Sequence, residues 1–383
     1  MIENRKIILL IASTVIFIDM IGYGIVIPTL PIYAKRLGAN EGEIGFLFSS
    51  YSIILLLTII PFGIMVDRFG KRYLIISGMF TLFLSSLLYS ISNSLELLLT
   101  ARAIQGFSAS LTWASALPLA AYVSSESNRG IEMSAIAIAT GLGSILGPFI
   151  GGIGSMKTPF YVLAISSLLI SISTFLFLKE SKIEKGNPNI WKNLTGILKK
   201  KGIKISIIAI SFIYFSFGII EILFPIYMNE LGYIRLKVGA LFGILGGFFV
   251  VVQPLIGKWS DKRGRFEPII IGLLLSALLF SIPIHFSSII IWIILFSLIG
   301  ISLASTFTPT LPLIADSIGI ENQGLAYAIY SLAFSIGYML GPWSGGVIAK
   351  NVNIKFPFYF SSFILLIGAM LIIIMKNRKE TIC

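Results

Sequence analysis

Apolar residues run almost unbroken over 7–30, 44–66, 73–91, 97–122, 133–153 and 160–178, then over 205–227, 238–259, 268–286, 289–315, 325–349 and 356–375. Each run is close to or beyond the ~20 residues with which a helix crosses the ~30 Å hydrocarbon core of a bilayer. The pattern predicts an all-α integral membrane protein of twelve transmembrane helices. A six-helix bundle over 1–178 precedes a polar interval over 179–204, and a second six-helix bundle follows over 205–383. The first run holds Asp19 and flows directly into further spans, as a first transmembrane helix does and a cleaved signal peptide does not.

An even number of spans puts both termini on one side, and the basic residues choose that side. The termini, the polar interval and the loops on their side hold most of the 29 Lys and Arg, including Arg5, Lys6, Arg68, Lys71, Arg72, Arg129, Lys258, Lys262, Arg263 and Arg265. The opposite loops hold only Lys35, Arg36, Lys157, Arg235, Lys237, Lys350 and Lys355. Cytoplasmic loops carry the excess of positive charge, so both termini are expected in the cytoplasm of a multi-pass protein of the cell (plasma or inner) membrane. In the interval, Ile190 to Lys201 sets Trp191, Leu194 and Leu198 against lysines. Such a basic amphipathic helix lies in the headgroup plane; a solvated linker is the alternative.

Composition narrows the class further. Of 383 residues 56% are hydrophobic and only 12% charged, against about 25% charged in soluble domains. The missing charge makes membrane lipid the main surrounding. The net charge of +12 sits between hydrophobic runs, where it orients the chain and calls for no nucleic acid. The only cysteine is Cys383 and the only histidine His285, so no intrachain disulfide and no metal site is expected. Without a clustered nucleophile and base, an enzyme is not expected either. A monomer and a small-molecule partner are.

The second half repeats the first at a fixed offset of 194 positions. Gly63 and Asp67 recur as Gly257 and Asp261, Pro31 and Tyr33 as Pro225 and Tyr227, Pro118 as Pro312, and Gly130 as Gly324. Gly147-Pro148-x-x-Gly151-Gly152 recurs as Gly341-Pro342-x-x-Gly345-Gly346. Two parallel six-helix repeats with a substrate path at their interface form one architecture of secondary transporters.

Several stretches carry a more specific likeness. The second loop reads GIMVDRFGKR from Gly63 to Arg72, with a degenerate copy GKWSDKRGR from Gly257 to Arg265. Helix 4 holds Arg102-Ala-Ile-Gln105-Gly106, and helix 5 holds Gly143-Ser-Ile-Leu-Gly147-Pro148-Phe-Ile-Gly151-Gly152. Together these resemble the signature loop, the Arg-x-x-Gln-Gly element and the antiporter motif of the major facilitator superfamily. Asp19 followed by Pro28-x-Leu-Pro31 is similar to the first helix of its tetracycline and multidrug efflux branch. The Pro-Glu-Ser-Pro-Arg of sugar porters is replaced after helix 6 by Leu178-Lys-Glu-Ser-Lys. The resemblance implies alternating access and proton-coupled efflux of a small amphiphilic or cationic compound, with no cofactor besides the proton. Proton-coupled symport or uniport of a nutrient such as a sugar or organic acid is the alternative.

Candidate residues follow. Asp19, Arg102 and Glu221 are charges inside spans, which by default mark a functional pathway. Counted at 1.5 Å per residue, Asp19 (~18 Å from one edge) and Arg102 (~20 Å) come to similar depths and are expected to pair, with Gln105 beside them. A carboxylate that alternates between environments can load and discharge H⁺. Glu221, with Tyr214, Phe217 and Phe224 on roughly its face, suits an organic cation; an outer rim carboxylate is the alternative. Gly63, Asp67, Arg68, Gly70, Lys71 and Arg72, with Arg129 and the second copy's Asp261 and Arg265, are expected to form a cytoplasmic gate. In it Asp67 meets a neighbouring helix N-terminus, and Arg68 and Arg72 pair with carboxylates across the seam. Gly143, Gly147, Pro148, Gly151, Gly341 and Pro342 are expected to serve helix packing and hinging.

Overall fold

The computed structural model describes residues 2–123, 129–178, 194–318 and 323–377. Its helices are α1 (Ile2–Arg36), α2 (Glu41–Phe69), α3 (Lys71–Ile91), α4 (Leu95–Val123), α5 (Arg129–Gly152) and α6 (Thr158–Phe177). There follow α7 (Leu194–Lys199), α8 (Lys201–Glu230), α9 (Arg235–Arg263), α10 (Phe266–Leu279), α11 (Ile289–Ile318), α12 (Gln323–Asn351) and α13 (Phe356–Asn377). Eleven spans among the described residues are long and apolar enough to cross a membrane. The twelfth long helix, α4, has 29 residues, but Glu96, Arg102, Gln105 and its hydroxyl residues dilute its apolar character. Together these make the twelve-helix membrane fold that the hydrophobic pattern predicts. Of the amphipathic stretch in the polar interval, 190–193 lies outside the described residues and Leu194–Lys199 is the short helix α7.

Several helices outrun the apolar runs that announce them. α1 continues through Pro28 and Pro31 to Arg36, and α11 through Pro309 and Pro312. Proline breaks helices in water, but in a membrane neighbouring helices and hydroxyl side chains can satisfy the backbone groups it frees. Large apolar side chains such as Leu10, Leu57, Val251, Leu278 and Ile290 stand more than 60% exposed. Water would penalise such a surface; lipid does not.

The chain divides into two compact units. One comprises Met1–Asn40, Phe46–Gly186 and Met228–Gly243; the other comprises Glu41–Gly45, Asn187–Tyr227 and Ile244–Cys383. In the first, α1 packs on α5, α4 and α6, and α3 lies against α4 and α6. In the second, α10 packs on α11 and α13, and α12 on α11 and α13.

The repeat holds at the level of contacts. On α5, a Cβ at Gly143 would fall 2.9 Å from Phe17 O, at Gly147 2.9 Å from Ile21 O, and at Gly151 2.6 Å from Ile25 O. On α12, 194 positions on, Gly337 and Gly341 press in the same way against Ser211 O and Phe215 O, and Gly345 against the side chain of Ile219. Each α8 residue met there is 194 positions from its α1 counterpart. Gly24 against Pro148 Cδ and Gly218 against Pro342 Cδ complete the correspondence. With no side chain between them the backbones come close enough for dense dispersion contact, which drives helix association where lipid removes the hydrophobic force. The turns repeat too. Gly70 and Gly264 break α2 from α3 and α9 from α10 with φ of 84° and 90°, a left-handed conformation that costs other residues about 1–2 kcal/mol.

Candidate functional site

Arg102 anchors a hydrogen-bonded group on α4. Arg102 is fully buried. Its Nη1 donates to Gln105 Oε1 at 2.8 Å, and Tyr89 Oη donates to the same oxygen at 3.1 Å. Gln105 Nε2 in turn donates to Gly22 O at 3.1 Å, tying α4 to α1. The guanidinium lies over Tyr51 (4.5 Å to the ring centroid) and Phe48 (5.1 Å). A bare buried charge costs several kcal/mol; ring faces and an amide oxygen offset part of that here.

Asp19 is 5% exposed, and its Oδ2 accepts from Trp113 Nε1 at 2.9 Å. The expected Asp19–Arg102 pair is therefore corrected: the two side chains go to different partners. The cause is the length of α1. Counted back from Arg36, Asp19 lies ~25 Å along the helix; Trp113 lies ~27 Å from the start of α4 and Arg102 only ~10 Å. In antiparallel helices that aligns Asp19 with Trp113. Sequence reasoning misses Trp113, although it is the one indole on α4 and counting to the true helix end finds it.

In the second unit Glu221 is fully buried on α8, so the rim alternative does not hold. Two of the rings expected beside it pack on other rings. Tyr214 packs on Phe307 (4.7 Å) and Phe334 (4.4 Å), with its hydroxyl 3.3 Å from Tyr330 Oη. Phe224 packs on Phe296 (4.7 Å) and Trp292 (5.4 Å). Tyr214 and Phe224 are ten residues, or ~15 Å, apart along α8 and join separate aromatic groups; Phe217 is half-buried.

At the loops, the side chains of Asp67, Arg68 and Arg129 lie outside the described residues. Gly63 stands open on α2, Gly70 forms the turn, and Lys71 opens α3. Among the described residues no carboxylate pairs with Arg72. Its Nη2 donates to Phe175 O at 2.6 Å in the last turn of α6, and its guanidinium lies 5.4 Å from the Phe175 ring. A cation there satisfies an orphan carbonyl and the negative end of the helix dipole. Arg265 joins Asp261 at the end of α9 to Asp316 on α11, the latter at 3.1 Å from Nε. These contacts of Arg72 and of Arg265 each lie within one unit. The hinge and packing residues Gly143, Gly147, Pro148, Gly151, Gly341 and Pro342 all lie on the close α1–α5 and α8–α12 contacts.

The model of the Major Facilitator Superfamily matches residues 12–278 and 206–381. Multidrug resistance protein 2 of Bacillus subtilis is 26% identical over 99% of this chain and 98% of its own length. The synaptic vesicular amine transporter of Mus musculus is 27% identical over 85% of this chain and 65% of its own length. The nucleoside transporter NupG has the same fold, with a TM-score of 0.82 at 13% identity over 96% of this chain and 99% of its own. With a family match spanning nearly the whole chain, and a twelve-helix fold repeated contact by contact, the protein belongs to the Major Facilitator Superfamily of membrane transporters.

Proposed function

We propose that the protein exports small amphiphilic or cationic compounds across the cell membrane in exchange for protons, by alternating access, with both termini in the cytoplasm. The observation that carries this reading is Asp19: a carboxylate in the middle of α1, held by an indole N–H and shielded from water. A fixed negative charge in that place is expensive; a carboxyl that takes up and gives back a proton as its surroundings alternate has a reason to be there. The multidrug and amine relatives support the substrate class. The proton is the coupling ion, no other cofactor takes part, and the working unit is a monomer in lipid.

A proteoliposome flux assay over a panel of lipophilic cations, sugars and organic anions, with and without ΔpH, tests the reading. Movement of a lipophilic cation against the direction of H⁺ is expected. Movement of a sugar or organic acid along with H⁺ would replace it by nutrient symport.

Glu221 gives a second prediction. Its full burial on α8 puts a carboxylate where a cation would gain most from pairing. Glu221→Gln is expected to weaken export of cationic substrates about tenfold for each ~1.4 kcal/mol of binding lost, and to change neutral ones little. Equal loss for both classes in the flux assay would make Glu221 a proton or structural site instead.

A further inference from the structure

The segment Met228–Gly243 holds the last residues of α8 and the first of α9, and it belongs to the same compact unit as α1 and α5. Arg235, the first residue of α9, is hydrogen-bonded to the chain that follows α5. Its Nη2 donates to Ile153 O (3.2 Å), Gly154 O (2.7 Å) and Ser155 O (2.8 Å), and its Nη1 lies 2.7 Å from Met156 Sδ. These groups form the turn that follows α5. Carbonyls at a helix C-terminus lack intrahelical partners and carry partial negative charge, so the guanidinium answers both needs at once. Arg235 is only 8% exposed.

The electrostatics of its own helix are unfavourable. Arg235 and Lys237 occupy the first turn of α9, which has no acidic residue, and a cation there opposes the dipole of its own helix. Arg36 adds like-charge repulsion. The neighbouring Lys35–Glu230 pair, at 2.6 Å, is 37% and 48% exposed, and exposed pairs contribute little. The carbonyl cradle is therefore the main polar hold on this turn, beside the close backbone packing of Gly239 on Pro148 O.

The internal repeat supplies a control. At the position 194 residues earlier stands Glu41, the first residue of α2. The backbone approach is the same in both copies: a Cβ on Gly152 would fall 3.1 Å from Arg235 O, and one on Gly346 would press on Glu41 O. An ionised carboxylate, however, has no donor to offer a carbonyl. The close backbone approach is duplicated, but the turn is not: Val347–Ala349, the counterparts of Ile153–Ser155, still lie within α12. A buried cation at a helix start, against the local rule, marks a functional position.

We propose that Arg235 is a one-sided latch: it holds the end of the transporter opposite the start of α1 closed, and that end opens when the guanidinium leaves the Ile153–Ser155 carbonyls. The inference rests on the alternating-access part of the function proposed above, and on neither the substrate nor the proton. Spin labels at Leu231→Cys and Tyr161→Cys, both exposed in the parent at 42% and 46%, report the separation in a Cys383→Ser background. Pulsed EPR without substrate or ΔpH reads the latch alone, so its failure is distinct from a failure of the transport reading. In Arg235→Gln a longer-distance population is expected to gain about tenfold, or ~1.4 kcal/mol. Arg235→Lys keeps the charge but gives up the planar fork, so a gain of several-fold is expected; this variant decides the matter if the glutamine form does not fold. A parent-like distance distribution in the folded variants overturns the latch. So does a lower melting temperature with no longer-distance population, which would leave Arg235 a passive helix cap.

Discussion

Asp19→Asn is expected to abolish ΔpH-driven accumulation while exchange of labelled for unlabelled substrate continues. The substitution keeps the shape of the side chain, and its amide oxygen can still accept from Trp113 Nε1, which donates to Asp19 at 2.9 Å. Only the exchangeable proton is lost. If one H⁺ crosses per substrate, each unit of ΔpH can sustain about tenfold accumulation, the equivalent of ~1.4 kcal/mol; in the mutant that gradient should fall to none. Trp113→Phe keeps an aromatic ring and removes the donor, so a partial loss is expected from it. Arg102→Ala should damage transport by another route, because it removes the cation bonded to Gln105 and covered by Tyr51 and Phe48. Proteoliposomes with an imposed ΔpH separate these outcomes. Undiminished uphill transport by Asp19→Asn would remove this carboxylate from coupling.

The fold is legible in the sequence because membrane helices announce themselves by length and apolarity, and because duplication leaves a register. The pairing of Gly147 with Gly341 in sequence becomes, in the structure, the same backbone contact made twice, on Ile21 O and on Phe215 O. The site is less legible. A count from the start of the apolar run at Ile7 matches Asp19 to Arg102, whereas α1 runs on through Pro28 and Pro31 to Arg36 and a count from that end matches it to Trp113. Spacing alone sets the face of α8, and it cannot say that Tyr214 turns to Phe307 while Phe224 turns to Trp292. Arg72 shows the same limit. A loop arginine reads as a partner for carboxylates, but the acceptor it finds is the end of α6, brought beside it only by folding. Arg235 carries a signal that apolar patterning passes over, a cation at the start of a helix where its repeat partner is Glu41.

The close helix contacts predict the largest change in stability. Gly147→Ala and Gly341→Ala each place a methyl group against the backbone of the facing helix: Gly24 Cα and Ile21 O at 2.9 Å for the first, Phe215 O for the second. Side chains can rotate out of the way, but a helix backbone cannot. α1 and α5, or α8 and α12, must therefore separate, at a cost in the range of ~1–3 kcal/mol for an overpacked core. Valine should be worse. Gly247, inside α9 with open space for 4 Å around the position a methyl group would take, is the control; there alanine should gain up to ~1 kcal/mol of helix propensity. Thermal unfolding in detergent should thus show Gly147→Ala and Gly341→Ala below the parent and Gly247→Ala at or above it. Because the facing carbonyl comes closer at Gly341 than at Gly147, the loss at Gly341 should be at least as large. Three variants melting together would mean that these glycines are not packing positions. A loss at one site only would mean that the two copies bear unequal packing loads.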